Sequence, residues 1–291
     1  MKPKEYKPGV HELSDEAYFA AEGVNASSLK DILRSPAYFK ERKENPKEPS
    51  WQMIDGTAIH CAALQPQEYD KRYVVLPDNA PLKPTERMVN DPNPKPEIAS
   101  RVQFWNVFEK QCEGKIVVTQ EKDKLYRRIG DLIQSHPELA SMLKHGKAEQ
   151  AIFGVDPVTK KTCKCKPDFL SSVGGYNIML ELKTTDDARP DAFERTAYNF
   201  GYYTSAAFYC DVMEWAGLGR PDVYFIIAVE RDAPHGLKIY EVAPEALEYG
   251  ERLYRKALNL YSYCTDMQEW PNYDTTIEIL TLPGWVRSDD L

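Results

Sequence analysis

The sequence predicts an α/β fold: a central mixed β-sheet flanked by helices, with an added helical region at the amino terminus. Three observations predict it. The run from Cys163 to Thr184, CKCKPDFLSSVGGYNIMLELKT, reads with the period of two that strands impose. Residues 190 to 216 then carry helical patterns. Val223 to Val229 follows as a nearly continuous apolar run, which suits a strand buried on both faces. Strand, helix and strand in that order make a crossover connection.

The other elements fall around this core. Residues 14 to 43 read as two short helices, with Ser14 as an N-cap and Ser35-Pro36 as the break. His60 falls on a helix with Ile59, Ala62, Ala63 and Leu64, and on those neighbours alone it reads as a core or surface histidine. Pro77 to Pro96 holds six prolines with Asn and Asp, so a long exposed loop is expected. From Ile98 to about Lys144 helical patterns dominate, interrupted by Ile116-Val117-Val118. Gln150 to Val155 and Thr162 to Leu170 flank a turn at Asp156 to Lys160. A last strand is expected near Leu237 to Val242, and a long helix from Pro244 to about Cys264. No linker interrupts the chain, so residues 1–291 are read as one domain, with a helical region over 1–50 and a catalytic core over 145–264.

The chemistry gathers at Cys163 to Thr184. Lys164, Lys166 and Asp168 share one strand face, and Asn177, Met179, Glu181 and Lys183 share one face of the next, with Ile178, Leu180 and Leu182 opposite. Ser171 to Gly175, ending in Gly-Gly, is suited to a hairpin reversal, so Asp168 and Glu181 can converge. Two carboxylates with a lysine two residues beyond one of them suit metal-assisted phosphodiester cleavage. Mg²⁺ prefers hard oxygen ligands and keeps waters, so an open carboxylate cluster is its expected binder. Lys183 would orient the nucleophile or stabilise the phosphorane. As a bare pattern, Pro-Asp, twelve residues, then Glu-x-Lys also describes a solvated hairpin.

The wider sequence resembles the PD-(D/E)xK nuclease superfamily, with Pro167-Asp168 and Glu181-Leu182-Lys183 as the signature. Asp55-Gly56-Thr57-Ala58-Ile59-His60, with Gln65-Pro66-Gln67-Glu68-Tyr69-Asp70 after it, is similar to the Gly-Thr-Ala-x-His segment of RecB-type nucleases. Gly146 to Phe153, Asp156-Pro157 and Cys163 to Asp168 resemble the exodeoxyribonuclease VIII (RecE) family more closely, as do Glu269-Trp270-Pro271 and Leu280 to Trp285. The match keeps one order over nearly all of residues 8 to 287.

The resemblance implies His60, Asp168, Glu181 and the Leu182 carbonyl as metal ligands, and Asp168, Glu181 and Lys183 as catalytic residues. It implies Mg²⁺, with Mn²⁺ as a substitute, and 5′-to-3′ resection of linear double-stranded DNA to 3′ single-stranded tails. A ring-shaped homo-oligomer and a single-strand annealing protein as partner are implied too, in a phage-type recombination setting. Glu149 matches a family glutamate and would orient a metal-bound water or stand behind the ligands; a surface role is the alternative. Two departures stand out. The family's Gln-x-x-x-Tyr reads Ser205-Ala206-Ala207-Phe208-Tyr209, with serine in place of the flexible amide. Glu181 replaces an aspartate of close relatives and still supplies a carboxylate.

DNA contacts are expected from Glu149, Lys164, Lys166, Thr184, Ser205 and Tyr209. Thr184 would bond a phosphate oxygen or support the strand end. Tyr202, Ser205 and Tyr209 share a helix face, and Tyr202 is assigned to packing. The alternatives are a structure-selective nuclease of the same fold and a catalytically degenerate DNA-binding protein.

Net charge is −8, against the usual need of a DNA enzyme for Lys and Arg. Lys115 to Lys166, however, holds eleven basic and six acidic residues, so a basic channel is expected near the site, including Lys122, Lys124, Arg127 and Arg128. No run approaches ~18 apolar residues and the first sixteen residues lack a signal-peptide core, so a cytoplasmic protein is expected, with no membrane partner. The six cysteines read as reduced thiols, with Cys163 and Cys165 in the core.

Overall fold

Side-chain caps divide the first part of the chain into short helices. In the computed structural model, which describes residues 3–281, Ser14 caps α1 (Asp15–Ala20) after the edge strand β1 (Gly9–His11). Asn25 caps α2 (Ala26–Arg34), and Ser35, just before Pro36, caps α3 (Pro36–Glu44). The expected pair of helices over 14 to 43 is therefore three. The extra break lies where Val24 bonds the backbones of Thr162 and Lys164, an exchange no local pattern encodes.

Ser50 caps α4 (Trp51–Leu64), the helix of His60. After α5 (Pro66–Arg72) and β2 (Tyr73–Val75), the proline-rich loop holds only the single-turn α6 (Glu86–Val89). Then come α7 (Pro96–Gln111), β3 (Ile116–Val118), α8 (Gln120–Ser135) and α9 (Pro137–Lys144), with β3 parallel to β2 in a small sheet of its own.

Over residues 146–241 the chain alternates between two sheets. β4 (Gly146–Ala148), β7 (Phe169–Val173), β8 (Tyr176–Thr185), β9 (Val223–Glu230) and β10 (Leu237–Glu241) form a five-stranded sheet ordered β10-β9-β8-β7-β4, parallel only between β8 and β9. β5 (Ala151–Val155) and β6 (Thr162–Cys165) join β1 in a second, antiparallel sheet. The expected continuous strand from Thr162 to Leu170 is thus two strands in different sheets, broken at Lys166-Pro167-Asp168, because proline cannot donate to a ladder. β7 and β8 close through Gly174 and Gly175, both at positive φ, in the two-residue turn that such glycines permit.

α10 (Pro190–Asn199) and α11 (Tyr202–Trp215) carry the crossover from β8 to β9, and α12 (Pro244–Met267) follows β10. Alternation along β8 sorts the two cores. Met179 faces α2, α11 and α12, with Phe208, Tyr254 and Ile226 buried around it. Ile178, Leu180 and Leu182 face α4 and α8, with Ile59, Ile129 and Ile133. Beyond α12, Trp270 stacks on Phe39 at 5.4 Å, and the Pro271 carbonyl accepts the Ala37 N–H. Of the segment from Leu280 to Trp285, residues 282–285 lie outside the described residues. Among the described residues, no helix is long and apolar enough to cross a membrane.

α4 and α8 cross closely because Gly130 has no side chain: a Cβ there would lie 2.8 Å from the Ala62 carbonyl oxygen. Gly130→Val is therefore expected to lower stability by about 1–3 kcal/mol through overpacking. The check is a urea unfolding midpoint; an unchanged midpoint would show that the crossing is loose.

Candidate active site

The two sheets part at one place, and the candidate residues lie there. β4 passes into β5 through Glu149, and β6 passes into β7 through Lys166-Pro167-Asp168. The two crossings touch, since the Glu149 N–H donates to the Asp168 carbonyl at 3.1 Å. Glu149 has φ +56, a left-handed conformation unusual for a residue with a Cβ, as sites under functional constraint sometimes show.

Strand pairing explains how Asp168 is held. The β7–β8 ladder begins at Phe169 opposite Leu180. Two residues beyond Leu180, Leu182 turns its N–H and C=O to the same edge, where β7 has not begun. Asp168 Oδ2 accepts the Leu182 N–H at 2.7 Å, and His60 Nε2 donates to the Leu182 carbonyl at 2.8 Å. His60 Nε2 is also 3.6 Å from Asp168 Oδ2. The ligand atoms of His60, Glu149 and Asp168 all lie within 4.8 Å of one another. His60 arrives on α4, whose Asp55 accepts from Lys122 at 2.7 Å and from the Tyr126 hydroxyl, locking the helix to α8.

Glu181 and Lys183 project from the opposite face of β8 from Leu182, as alternation predicts. Lys183 Nζ is 2.6 Å from Glu181 Oε1, while Glu181 Oε2 is buried without a partner among the described residues. Burial, and then the Glu181 carboxylate, push the Asp168 carboxyl up to about 6. Burial alone would lower the Lys183 ammonium, but Glu181 and Asp168 outweigh it and hold it above its ordinary range. The His60 imidazole, the Glu149 and Asp168 carboxylates and the Leu182 carbonyl at this fork form an oxygen-rich donor set, while Glu181, paired with Lys183, stands outside the group of three whose ligand atoms meet. These residues fit a hard divalent cation.

A cleft of about 250 Å³ opens onto this cluster, walled by His60, Glu149, Asp168, Lys166 and Tyr209. Lys166 is held between Asp15 and Glu149, at 2.8 Å from the latter, and so enters the site already paired. Tyr209 lines the cleft. Ser205 donates back to the Gly201 carbonyl at 3.3 Å, within its own helix. Thr184 is half-buried, and alternation sets it on the face opposite Lys183.

Lys164 stands apart and corrects the sequence expectation. It is 3% exposed, and its ammonium donates to the Tyr18 and Ala21 carbonyls at 2.7 and 2.6 Å. It pins the end of α1 to β6, and burial lowers its pKa to about 8. The shared face with Asp168 is lost because Pro167 ends the strand between them. The basic channel is reduced for a similar reason: Lys161 pairs with Asp266, Lys122 with Asp55, and Arg127 with Asp123 and Asp70. Cys163 and Cys165 are fully buried core thiols, as expected. Asp15, Arg72 and Asn25 also line the cleft, and no sequence signal links them to it. Tyr202, assigned to packing, has its ring under Lys183 Nζ at 5.5 Å.

Residues 25–283 match the family model described as the PDDEXK-like domain of unknown function (DUF3799). The chain belongs to this family. No curated protein matches the chain in sequence. Among solved structures, a protein from Eubacterium rectale titled "Putative exonuclease" is similar at TM-score 0.56 and 14% identity, covering 96% of this chain and 98% of that one. A phage-related exonuclease from Haemophilus somnus 129PT is similar at TM-score 0.35 and 13% identity, covering 87% and 99%. At these identities the first likeness concerns the fold of the PDDEXK-like chain, and the second overlaps too loosely to add to it.

In the cation-free PDDEXK-like protein, the folded Asp168 pKa lies above its unfolded value. Its contribution to stability is then full below the ordinary carboxylate range and is lost as pH rises through about 6. Cation binding needs the ionised form, so it is expected to release a proton from Asp168 at pH values below about 6 and to strengthen as pH rises to that point. Titration calorimetry in buffers of different ionisation enthalpy measures that proton. Affinity that stays flat from pH ~4 to ~6 would remove Asp168 from the ligand set.

Proposed function

We propose that this protein is a Mg²⁺-dependent exodeoxyribonuclease, with Mn²⁺ as a substitute cation, that resects linear double-stranded DNA from 5′ ends and leaves 3′ single-stranded tails. The observation that carries the reading is the meeting of His60, Glu149 and Asp168 within 4.8 Å beside the Glu181–Lys183 pair. His60, Glu149, Asp168, Glu181 and the Leu182 carbonyl would hold the cation, which when bound would activate water and neutralise charge on the phosphate. Lys183 keeps its proton next to Glu181 and therefore acts as a donor to the water or to a phosphate oxygen, rather than as a base. Asp168, tied to the Leu182 N–H, keeps its carboxylate fixed in direction. Tyr209 and Lys166 bound the cleft in which the scissile phosphate would lie.

Polarity and product follow from the RecE resemblance. So do a ring-shaped homo-oligomer, a single-strand annealing protein as partner and a cytoplasmic setting. Serine at position 205 favours one second reading, a DNA-binding protein that does not cut. Linear duplex labelled at the 5′ or 3′ end, incubated with Mg²⁺ or EDTA, separates the two. Prompt Mg²⁺-dependent release of the 5′ label is expected from the native protein and not from Lys183→Ala. Binding without cleavage by folded native protein would select the second reading.

A further inference from the structure

We propose that the corner between α10 and α11 is a stacking platform for single-stranded DNA, carried by Phe200 with Lys30 beside it. The identity of the occupant rests on the nuclease reading above. Local backbone chemistry builds the corner: Phe200 ends α10, and Gly201, at φ +64, turns the chain directly into α11. That left-handed conformation suits glycine, and a Cβ there would come within 3.0 Å of Lys30 Cδ. The turn leaves Phe200 62% exposed.

A lone exposed phenylalanine is ordinary, but this one belongs to a connected group. Its ring stacks on Tyr202, with centroids 5.9 Å apart and planes 19° apart. The Tyr202 ring packs against buried Phe193 at 6.2 Å and lies under the Lys183 ammonium at 5.5 Å. Lys30, from α2, donates to the Phe200 carbonyl at 3.0 Å. Burial, and then the Lys183 charge, depress the Lys30 ammonium, while Glu181 and Asp31 act the other way.

Aromatic faces beside lysines hold single strands without sequence preference, the base on the ring and the phosphate on the cation. Bases inside a duplex already stack on one another, so a free ring face selects a single strand. The platform would also supply a contact that Ser205, bonded within its own helix, does not extend.

Anisotropy of labelled oligothymidylate in EDTA tests the proposal on native protein, Phe200→Ala, Phe200→Trp and Lys30→Met, with duplex cleavage in Mg²⁺ run in parallel and melting checked for each variant. Phe200→Ala is expected to weaken binding about 5- to 100-fold, and Phe200→Trp to restore it to within about two-fold. Lys30→Met is expected to reduce the salt slope of binding by about 0.7. Native-like binding by Phe200→Ala would overturn the platform, even if the native protein cuts duplex. Phe200-dependent binding by a protein that does not cut would uphold the platform and overturn the nuclease reading. Neither binding nor cutting would overturn both.

Discussion

Asp168→Asn is expected to reduce Mg²⁺-dependent cleavage by on the order of 10³-fold or more, because it removes a charge worth several kcal/mol to cation binding and to the transition state. Shape is nearly conserved: an asparagine carbonyl can still accept the Leu182 N–H that Asp168 Oδ2 accepts at 2.7 Å. Burial already disfavours the Asp168 anion, so the cation-free variant should melt no lower than the native protein near neutral pH. That pairing of lost activity with kept stability distinguishes a ligand from a structural carboxylate. Cleavage within tenfold of native would sink the assignment, and a lower melting temperature would mark Asp168 as structural.

Arg255→Ala is expected to cost about 3–5 kcal/mol of folding stability, since it strips the charged partner from fully buried Asp156, whereas Asp211 keeps Arg220 and the Tyr254 hydroxyl. Arg255 leaves α12 with Nη1 2.5 Å from Asp156 and Nη2 3.8 Å from Asp211. Its guanidinium lies 4.8 Å from the Trp215 ring and 5.0 Å from that of Tyr254. Asp156 is fully buried; burial opposes its charge, but the hydrogen bonds from Thr159 and Arg255 outweigh it and hold its pKa below the usual carboxylate range. Its contribution is therefore present above the ordinary carboxylate range and lost as pH falls through its lowered folded value. Chemical denaturation of Arg255→Ala and Arg255→Lys gives the measurement, with Lys recovering only part because it lacks the planar fork. A loss under about 1 kcal/mol in the alanine variant would show the carboxylates finding water instead.

The legible part of this protein is its local part. The Gly174-Gly175 turn, the alternation along β8 and the apolar run of β9 each depend on residues a few positions apart, and all three are in the structure. The spacing of Asp168, Glu181 and Lys183 was legible for the same reason, since one hairpin relates them. Lys164 was misread because the alternation from it to Asp168 assumed one strand, while Pro167 divides the segment between two sheets. For Glu149 the sequence left open a place beside a metal-bound water, one behind the ligands and one at the surface; its carboxylate lies within 4.8 Å of the ligand atoms of His60 and Asp168, because β4 and β5 part at that residue.

Sequence by itself determined the β7–β8 hairpin with its acidic-lysine pattern, the apolar strand β9 and the Ser14 cap, because hydrogen bonding and side-chain alternation act over short separations along the chain. Only the tertiary structure decided which lysines are free and which backbone groups stay open. Lys164 is spent on carbonyls about 145 residues away in the chain, and the Leu182 carbonyl meets His60 from 122 residues away. Such contacts depend on where two sheets diverge and how α4 packs on α8, and no spacing of residues encodes that.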